Sequence, residues 1–238
     1  MEKTLLYFWK PLMEKFKKEL SMVEDYFNRT KPIFDNIEKE AYDYAHSLYS
    51  SYPVDEYTDL FSVAESANEE GMEFYDTLKT MKSNHLLMTI SMLYQIWEQQ
   101  LIKFTIQEME HYLEFNYRAL CFGEAKKIFE LHGVRFDNTK SWKKIKELRL
   151  LVNTIKHGDG VSAKKLRKIR PDFFEYDVIK GTDTLQFAGA VLLDSYSLQV
   201  KEKDLNDYLE ATKNFWSEMP EKAYSDIETI IYAFEENK

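Results

Sequence analysis

Cysteine, glycine and proline are scarce in this chain, and no apolar run in it is long. Cys121 is the only cysteine, which excludes an intrachain disulfide and a zinc site built on several thiolates, and fits a reducing cytoplasm. Seven glycines and five prolines in 238 residues leave few places where a helix must stop. With abundant Leu, Ile, Glu and Lys, that scarcity predicts an all-α chain, folded as a helical bundle. The most apolar stretch runs only from Leu86 to Trp97 and is broken by Thr89, Ser91 and Gln95, whereas a membrane span needs about twenty residues. The amphipathic start, interrupted at Lys10-Pro11, does not read as a signal peptide, so a cytoplasmic protein with no membrane association is expected. Also missing are a nucleophile elbow, a glycine-rich phosphate loop and His, Asp and Glu residues at metal-ligand spacing. Serine hydrolases, NTPases and metallohydrolases are therefore disfavoured, and neither a metal nor a cofactor is expected.

Positive charge is scarce on average, with a net charge of −9, but it is concentrated. Residues 140–170 hold eleven basic residues against Glu147 and Asp159. A basic island in an otherwise acidic chain is either a solvated lysine-rich face or a nucleic-acid footprint.

Apolar residues at three- and four-residue steps predict a helix over 2–28 through Leu5, Phe8, Leu12, Phe16 and Leu20, with Pro11 marking a kink or break. Pro32 opens a second helix to about Tyr49, and Asp55 to Leu78 forms a third, acidic one. Ser83 or Asn84 caps the longest helix, 85–115, whose first half is apolar nearly all round and belongs at the centre of the bundle. A short helix, 123–131, ends at Gly133, and another, 162–168, ends at Pro171. Partial alternation of β-branched and aromatic residues around Gly181-Thr182-Asp183 predicts a small β-hairpin near 174–200, the only β structure expected. Asp204 caps a helix to Met219, and Pro220 opens the last, to about Glu235. These elements read as a single domain over 1–238. The N-terminal helices of 1–82 pack on a core of 84–170, and 171–238 adds the hairpin and the C-terminal helices.

The sequence is organised around Trp142 to Gly160, WKKIKELRLLVNTIKHGDG. Ile145, Leu148, Val152 and Ile155 form a buried stripe, Asn138 or Thr139 can cap the start, and Gly158 and Gly160 end the helix. Arg149, Asn153 and His157 recur every four residues and share a polar strip beside that stripe, with Lys156 on its border. Glu98, next to Trp97, either pairs with Arg149, Lys156 or His157, or faces solvent with Gln95 and Gln99.

Long helices followed by Arg149, Asn153 and His157 in RLLVNTIKHGDG resemble the HEPN superfamily of small all-α proteins, over about residues 84–170. The NTIKHGDG and RPDFF runs also look like a family of bacterial proteins with a KHG-type motif. The HEPN resemblance implies a metal-independent endoribonuclease acting as a toxin, phage-defence effector or RNA-processing enzyme. It further implies a homodimer whose Arg and His converge from both chains, and it admits a protein antitoxin or regulator as partner. The family's motif places four to six residues between Arg and His; here there are seven, and eight residues on is still the same helical face.

The chemistry is coherent. Cleaving RNA without a metal needs a base for the 2′-hydroxyl, an acid for the leaving oxygen and positive charge at the phosphorane. Free histidine titrates at about 6.5 and suits the proton transfers, and the arginine fork suits phosphate. The candidate catalytic residues are Arg149, Asn153, Lys156, His157 and Glu98. Lys143, Lys146, Lys164, Lys165, Arg167 and Lys168 are expected to hold the RNA backbone. The alternative is a non-catalytic all-α module that binds RNA, a nucleotide or a protein partner through the same island.

Overall fold

One helix of fifty residues, α3 (Leu60–Met109), carries the acidic stretch and the apolar stretch without interruption. The two helices expected over 55–78 and 85–115 are thus a single element. Ser83 and Asn84 do not cap a helix start, because nothing between Leu78 and His85 forbids helical backbone. The computed structural model describes residues 2–113, 120–176 and 179–235, so the expected end of that helix near residue 115 lies outside the described residues. Around α3 the order is β1 (Lys3–Tyr7), α1 (Lys10–Thr30), α2 (Ile37–Ser51), then α4 (Phe122–Leu131), α5 (Trp142–His157) and α6 (Val161–Ile169). There follow β2 (Glu175–Tyr176), β3 (Ile179–Asp183), α7 (Thr184–Ala188), α8 (Glu202–Ser217), β4 (Lys222–Asp226) and α9 (Ile227–Glu235). The fold is all-α, and among the described residues no helix is long and apolar enough to cross a membrane.

The chain divides into two compact units built from interleaved segments, residues 1–25, 89–152 and 202–238 in the first and 26–88 and 153–201 in the second. Three of the divisions fall inside α1, α3 and α5.

The first unit is organised on aromatic rings. Along α3, Ile90, Leu93, Trp97, Leu101 and Phe104 are fully buried at helical spacing. Trp97 meets Phe215 of α8 edge-on at 5.2 Å, Phe215 meets Phe136 at 5.0 Å, and Phe104 stacks on Phe8 at 4.8 Å. Gln100, buried between them, accepts from Trp216 Nε1 at 3.0 Å and donates to the carbonyl of Phe16 at 3.0 Å. Each amide group of Gln100 is therefore satisfied within an apolar setting, which is the condition for burying it.

β1 and β4 form an antiparallel ladder in this unit, running from Lys3 opposite Asp226 to Tyr7 opposite Lys222. β structure is thus not confined to 174–200, and the first helix begins at Lys10 instead of Glu2. Thr4 and Leu6 are buried and Lys3 and Tyr7 exposed, the period of a strand. Leu5, Phe8 and Leu12 also fit a helical step, so five residues of sequence could not decide between the two. Pro11 lies in the first turn of α1, where its missing N–H has no partner to lose.

In the second unit α2 crosses the first half of α3 at small residues, with Ala41 and Ala45 against Gly71. The expected hairpin is shorter than its pattern. A hairpin does form in this range, but β2 pairs with β3, so Gly181-Thr182-Asp183 lies in a strand and not in the expected turn, and Thr184–Ala188 turns into helix with Asp183 capping it by accepting from the Gln186 amide at 2.8 Å. Residues 189–200 form no strand. They are pinned by specific bonds instead: Gln199 N to the Phe173 carbonyl, Ser197 Oγ to the Val191 carbonyl, and Asn84 Nδ2 to the Leu192 carbonyl, each at 2.8 Å. Lys79 stacks over Tyr196 at 4.3 Å and donates to its hydroxyl.

Candidate functional site

α5 holds the motif as one uninterrupted helix, started and stopped by identifiable groups. Its N-terminus is capped from α8's end by Glu218, whose carboxylate accepts from the amide of Lys140 at 2.7 Å and from Ser141 Oγ at 3.4 Å. A carboxylate there suits the positive end of the helix dipole. Asn138 and Thr139, the expected caps, instead form a 3₁₀ turn with Phe136. At the other end Gly158 adopts φ +67° and its amide closes on the Thr154 carbonyl at 2.8 Å, a conformation glycine accepts without strain.

In the first unit the exposed Arg149 guanidinium lies 4.5 Å from the ring centroid of Phe122. Half-buried Glu98 accepts from the hydroxyl of Tyr94 at 2.8 Å, one turn back on the same helix. Arg149 also acts on Tyr94, opposing the effect of Glu98 on its proton. Burial first, and then the Glu98 carboxylate, hold the Tyr94 hydroxyl well above phenol's ordinary range, so it remains a donor. Glu98 therefore finds its partner in Tyr94, and no ion pair joins it to Arg149. Tyr94 was not singled out from the sequence, although it sits four residues before Glu98, the spacing at which helical side chains meet. Lys143 is exposed, and Lys146 makes a surface pair with Asp137 at 3.4 Å.

The remaining residues belong to the second unit. Asn153 is half-buried, while Lys156 and His157 are exposed on the last turn of α5; none of the three side chains bonds to another described residue. Among the described residues, Lys164, Lys165 and Lys168 project from the exposed face of α6, likewise without a carboxylate partner. Arg167 differs. Its fork holds both oxygens of Asp183, its third nitrogen holds Asp159, and its plane lies 4.6 Å from the centroid of Phe174. Asp183 and Asp159 raise the Arg167 pKa further and fix the guanidinium in place. The expected phosphate contact is thus occupied by protein carboxylates, and Arg167 ties the Gly158-Asp159-Gly160 turn to the cap of α7. A cavity of about 230 Å³ adjoins it, lined by Arg167, Pro171, Phe174, Glu175 and Gly181 to Asp183.

Among the described residues no group of three or more His, Cys, Asp or Glu side chains is placed to hold a metal ion. Comparison with protein-family models, with curated proteins and with solved structures gives no match to this chain.

Proposed function

We propose that this protein is a metal-independent endoribonuclease of the HEPN type, a toxin or phage-defence effector, with its chemistry carried by α5. The supporting observation is the last turn of that helix. His157 and Lys156 stand exposed with no partner among the described residues, in the unit that also presents Lys164, Lys165 and Lys168. A proton carrier left unbonded beside uncompensated lysines is costly to no fold element and useful to an anionic substrate.

In this reading the neutral imidazole of His157 takes the proton of a ribose 2′-hydroxyl. The 2′-oxygen attacks phosphorus in line, the bond to the 5′-oxygen breaks, and a 2′,3′-cyclic phosphate forms. Arg149, two helical turns back, steadies the charge on the phosphorane with its fork, and Asn153 donates to a phosphate oxygen. Lys156 supplies charge, and a proton, at the leaving 5′-oxygen. Tyr94 and Glu98 keep the surroundings of Arg149 polar and ordered. The reading carries a homodimer, as the resemblance implies, and a protein antitoxin or regulator as a further partner.

A second reading has its own support: the His157 ring has no orienting hydrogen bond among the described residues, and a general base is normally held by one. That favours a non-catalytic module binding RNA on the same lysines. Incubating the purified protein with single-stranded RNA in EDTA separates the two. Cleavage that survives EDTA and disappears in His157→Ala supports the nuclease. Intact RNA, bound equally by both proteins, establishes the binding module.

A further inference from the structure

A groove of about 270 Å³ runs between α1 and α3, bordered by residues 12–19 on one side and 96–107 on the other, all within the first unit. Its floor is fixed. Gln100 is buried there with its whole amide engaged: Oε1 accepts from Trp216 Nε1, and Nε2 donates to the Phe16 carbonyl and to Glu19 Oε2, each at 3.0 Å. Phe16 is held against the Trp216 ring, with centroids 4.8 Å apart. The walls, by contrast, hold polar groups that the fold leaves unused.

Gln99, Lys103 and Gln107 recur every four residues on α3, so they stand along one strip of the helix about 12 Å long. From Thr89 to Gln107 the helix carries one carboxylate, Glu98, whose hydrogen-bond partner is Tyr94. The residues three and four positions from Lys103 are Gln99, Gln100, Ile106 and Gln107, so no acid on its own helix can reach it. Among the described residues, the side chains of Gln99, Lys103 and Gln107 have no bonded partner. On α1, Lys15 lies 3.9 Å from Glu19, an ion pair too long to be a hydrogen bond. The lining thus combines two ammonium groups and one carboxylate, a net charge of +1, with two unengaged amides.

We propose that this groove binds a small amino acid with two carboxylates, of the size of glutamate. Such a molecule carries a net charge of −1 and matches the lining group for group. Its carboxylates pair with Lys15 and Lys103, its ammonium pairs with Glu19, and the Gln99 and Gln107 amides donate to carboxylate oxygens. Its methylenes lie against Leu12, Phe16 and Ile96. The size agrees, since about 270 Å³ equals the volume of about nine waters at about 30 Å³ each, enough for about ten non-hydrogen atoms. Phosphate is a poorer match: arginine forks and glycine-rich loops hold it best, and the lining contains neither arginine nor glycine. None of these residues belongs to the nuclease reading, so the site and the nuclease stand or fall separately.

Isothermal titration calorimetry of the full chain with L-glutamate, without RNA, should show saturable binding with a Kd of about 0.1–1 mM, because partly exposed ion pairs are individually weak. Lys103→Gln and, separately, Lys15→Gln should each weaken it about tenfold or more, the scale of losing a charged hydrogen bond. Both side chains are exposed, so circular dichroism should match the wild type. Glu19→Gln keeps an acceptor for Gln100 and removes the charge. It should weaken glutamate several-fold and leave glutarate, which lacks the ammonium, bound at least as tightly as by the wild type. No saturable binding up to about 10 mM overturns the proposal, as do Lys15 and Lys103 variants that bind glutamate like the wild type. Inorganic phosphate bound as tightly as glutamate overturns it too, since the groove is then a general anion-attracting surface.

Discussion

Arg167 binds Asp183 through two nitrogens, and Asp183 in turn caps α7 by accepting from the Gln186 amide. One carboxylate therefore fastens α6 to the strand-helix junction after β3. The Arg167 hydrogen bonds, with the Gln186 amide, hold the Asp183 carboxyl below the ordinary value of 3.8. Its charged form is the one the fold prefers, so its stabilisation is present above about pH 4 and is lost as pH falls through the lowered value. Urea denaturation repeated between pH 5 and pH 2.5 should show an acid-side loss that shrinks in Asp183→Asn. An unaltered acid limb in that variant would remove Asp183 from the account. About a quarter of each side chain remains exposed, and water still screens the pair, so the effect on Tm is expected to be small.

The α2–α3 crossing gives a sharper stability test. A Cβ placed on Gly71 would lie 2.7 Å from the Ala45 Cβ and 3.4 Å from the Ala41 carbonyl oxygen. Alanine is the better helix former by about 1 kcal/mol, which would stabilise an open site. Overpacking between two helix backbones costs about 1–3 kcal/mol and should win here. Gly71→Ala is expected to lower the urea midpoint, and adding Ala45→Gly should recover part of the loss by vacating the contact. A Gly71→Ala protein more stable than the wild type would show that α2 does not pack at this point.

The sequence revealed the helices wherever a long apolar period was available. α5 was legible as an element, because Ile145, Leu148, Val152 and Ile155 are buried as the stripe predicts and Gly158 stops it, although its N-terminal cap comes from Glu218. The β1–β4 ladder was not, since it joins residues more than two hundred positions apart and its strands are five residues long. The division of α3 also failed, because an acidic solvated face and an apolar one succeed each other on a single helix, and a change in surroundings looks like a boundary. For the site, the sequence supplied the strip but gave no sign of the carboxylates that hold Arg167, since Asp183 is sixteen residues away in a different element. Charge composition cannot show which cations are already neutralised.

His132 is buried with its Nδ1 2.7 Å from the Ile128 carbonyl, to which it donates, and its Nε2 3.0 Å from Thr4 Oγ1. Burial lowers its pKa below the ordinary 6.5, against a smaller opposing effect of that carbonyl. The folded state therefore favours the neutral ring. The unfolded chain binds the extra proton as pH drops below about 6.5, so stability should fall between pH 7 and pH 5. The pH slope of urea stability in that window should diminish in His132→Gln. His85, also lowered by burial, accounts for a residual slope. A slope identical to the wild type would mean that His132 binds its proton equally in the folded and unfolded chains.

Under the nuclease reading, Lys164, Lys165 and Lys168 meet the RNA backbone while Arg167 does not. Each phosphate contact contributes about 0.7 to the slope of log affinity against log salt for single strands. Lys164→Gln with Lys168→Gln should flatten the slope by about 1.4. Arg167→Gln should leave the slope unchanged and lower thermal stability instead. Fluorescence anisotropy with a labelled oligonucleotide at several salt concentrations measures both, and a slope that responds to Arg167 would return it to the phosphate-binding set.

Arg149 separates clamp from charge. Its guanidinium lies over the Phe122 ring and also acts on the Tyr94 hydroxyl, and among the described residues no carboxylate forms an ion pair with it. A fork that binds phosphate in the ground state and more tightly at the phosphorane should, when removed, damage binding and turnover together. Arg149→Ala is expected to weaken RNA binding several-fold and to reduce single-turnover cleavage by about a hundredfold or more, the scale of losing one charge-stabilising donor. Arg149→Lys keeps the charge but neither the planar fork nor the stacked geometry. It should therefore restore most of the binding and little of the cleavage. If lysine rescues both equally, Arg149 acts as a point charge on the substrate and the phosphorane is stabilised by another group.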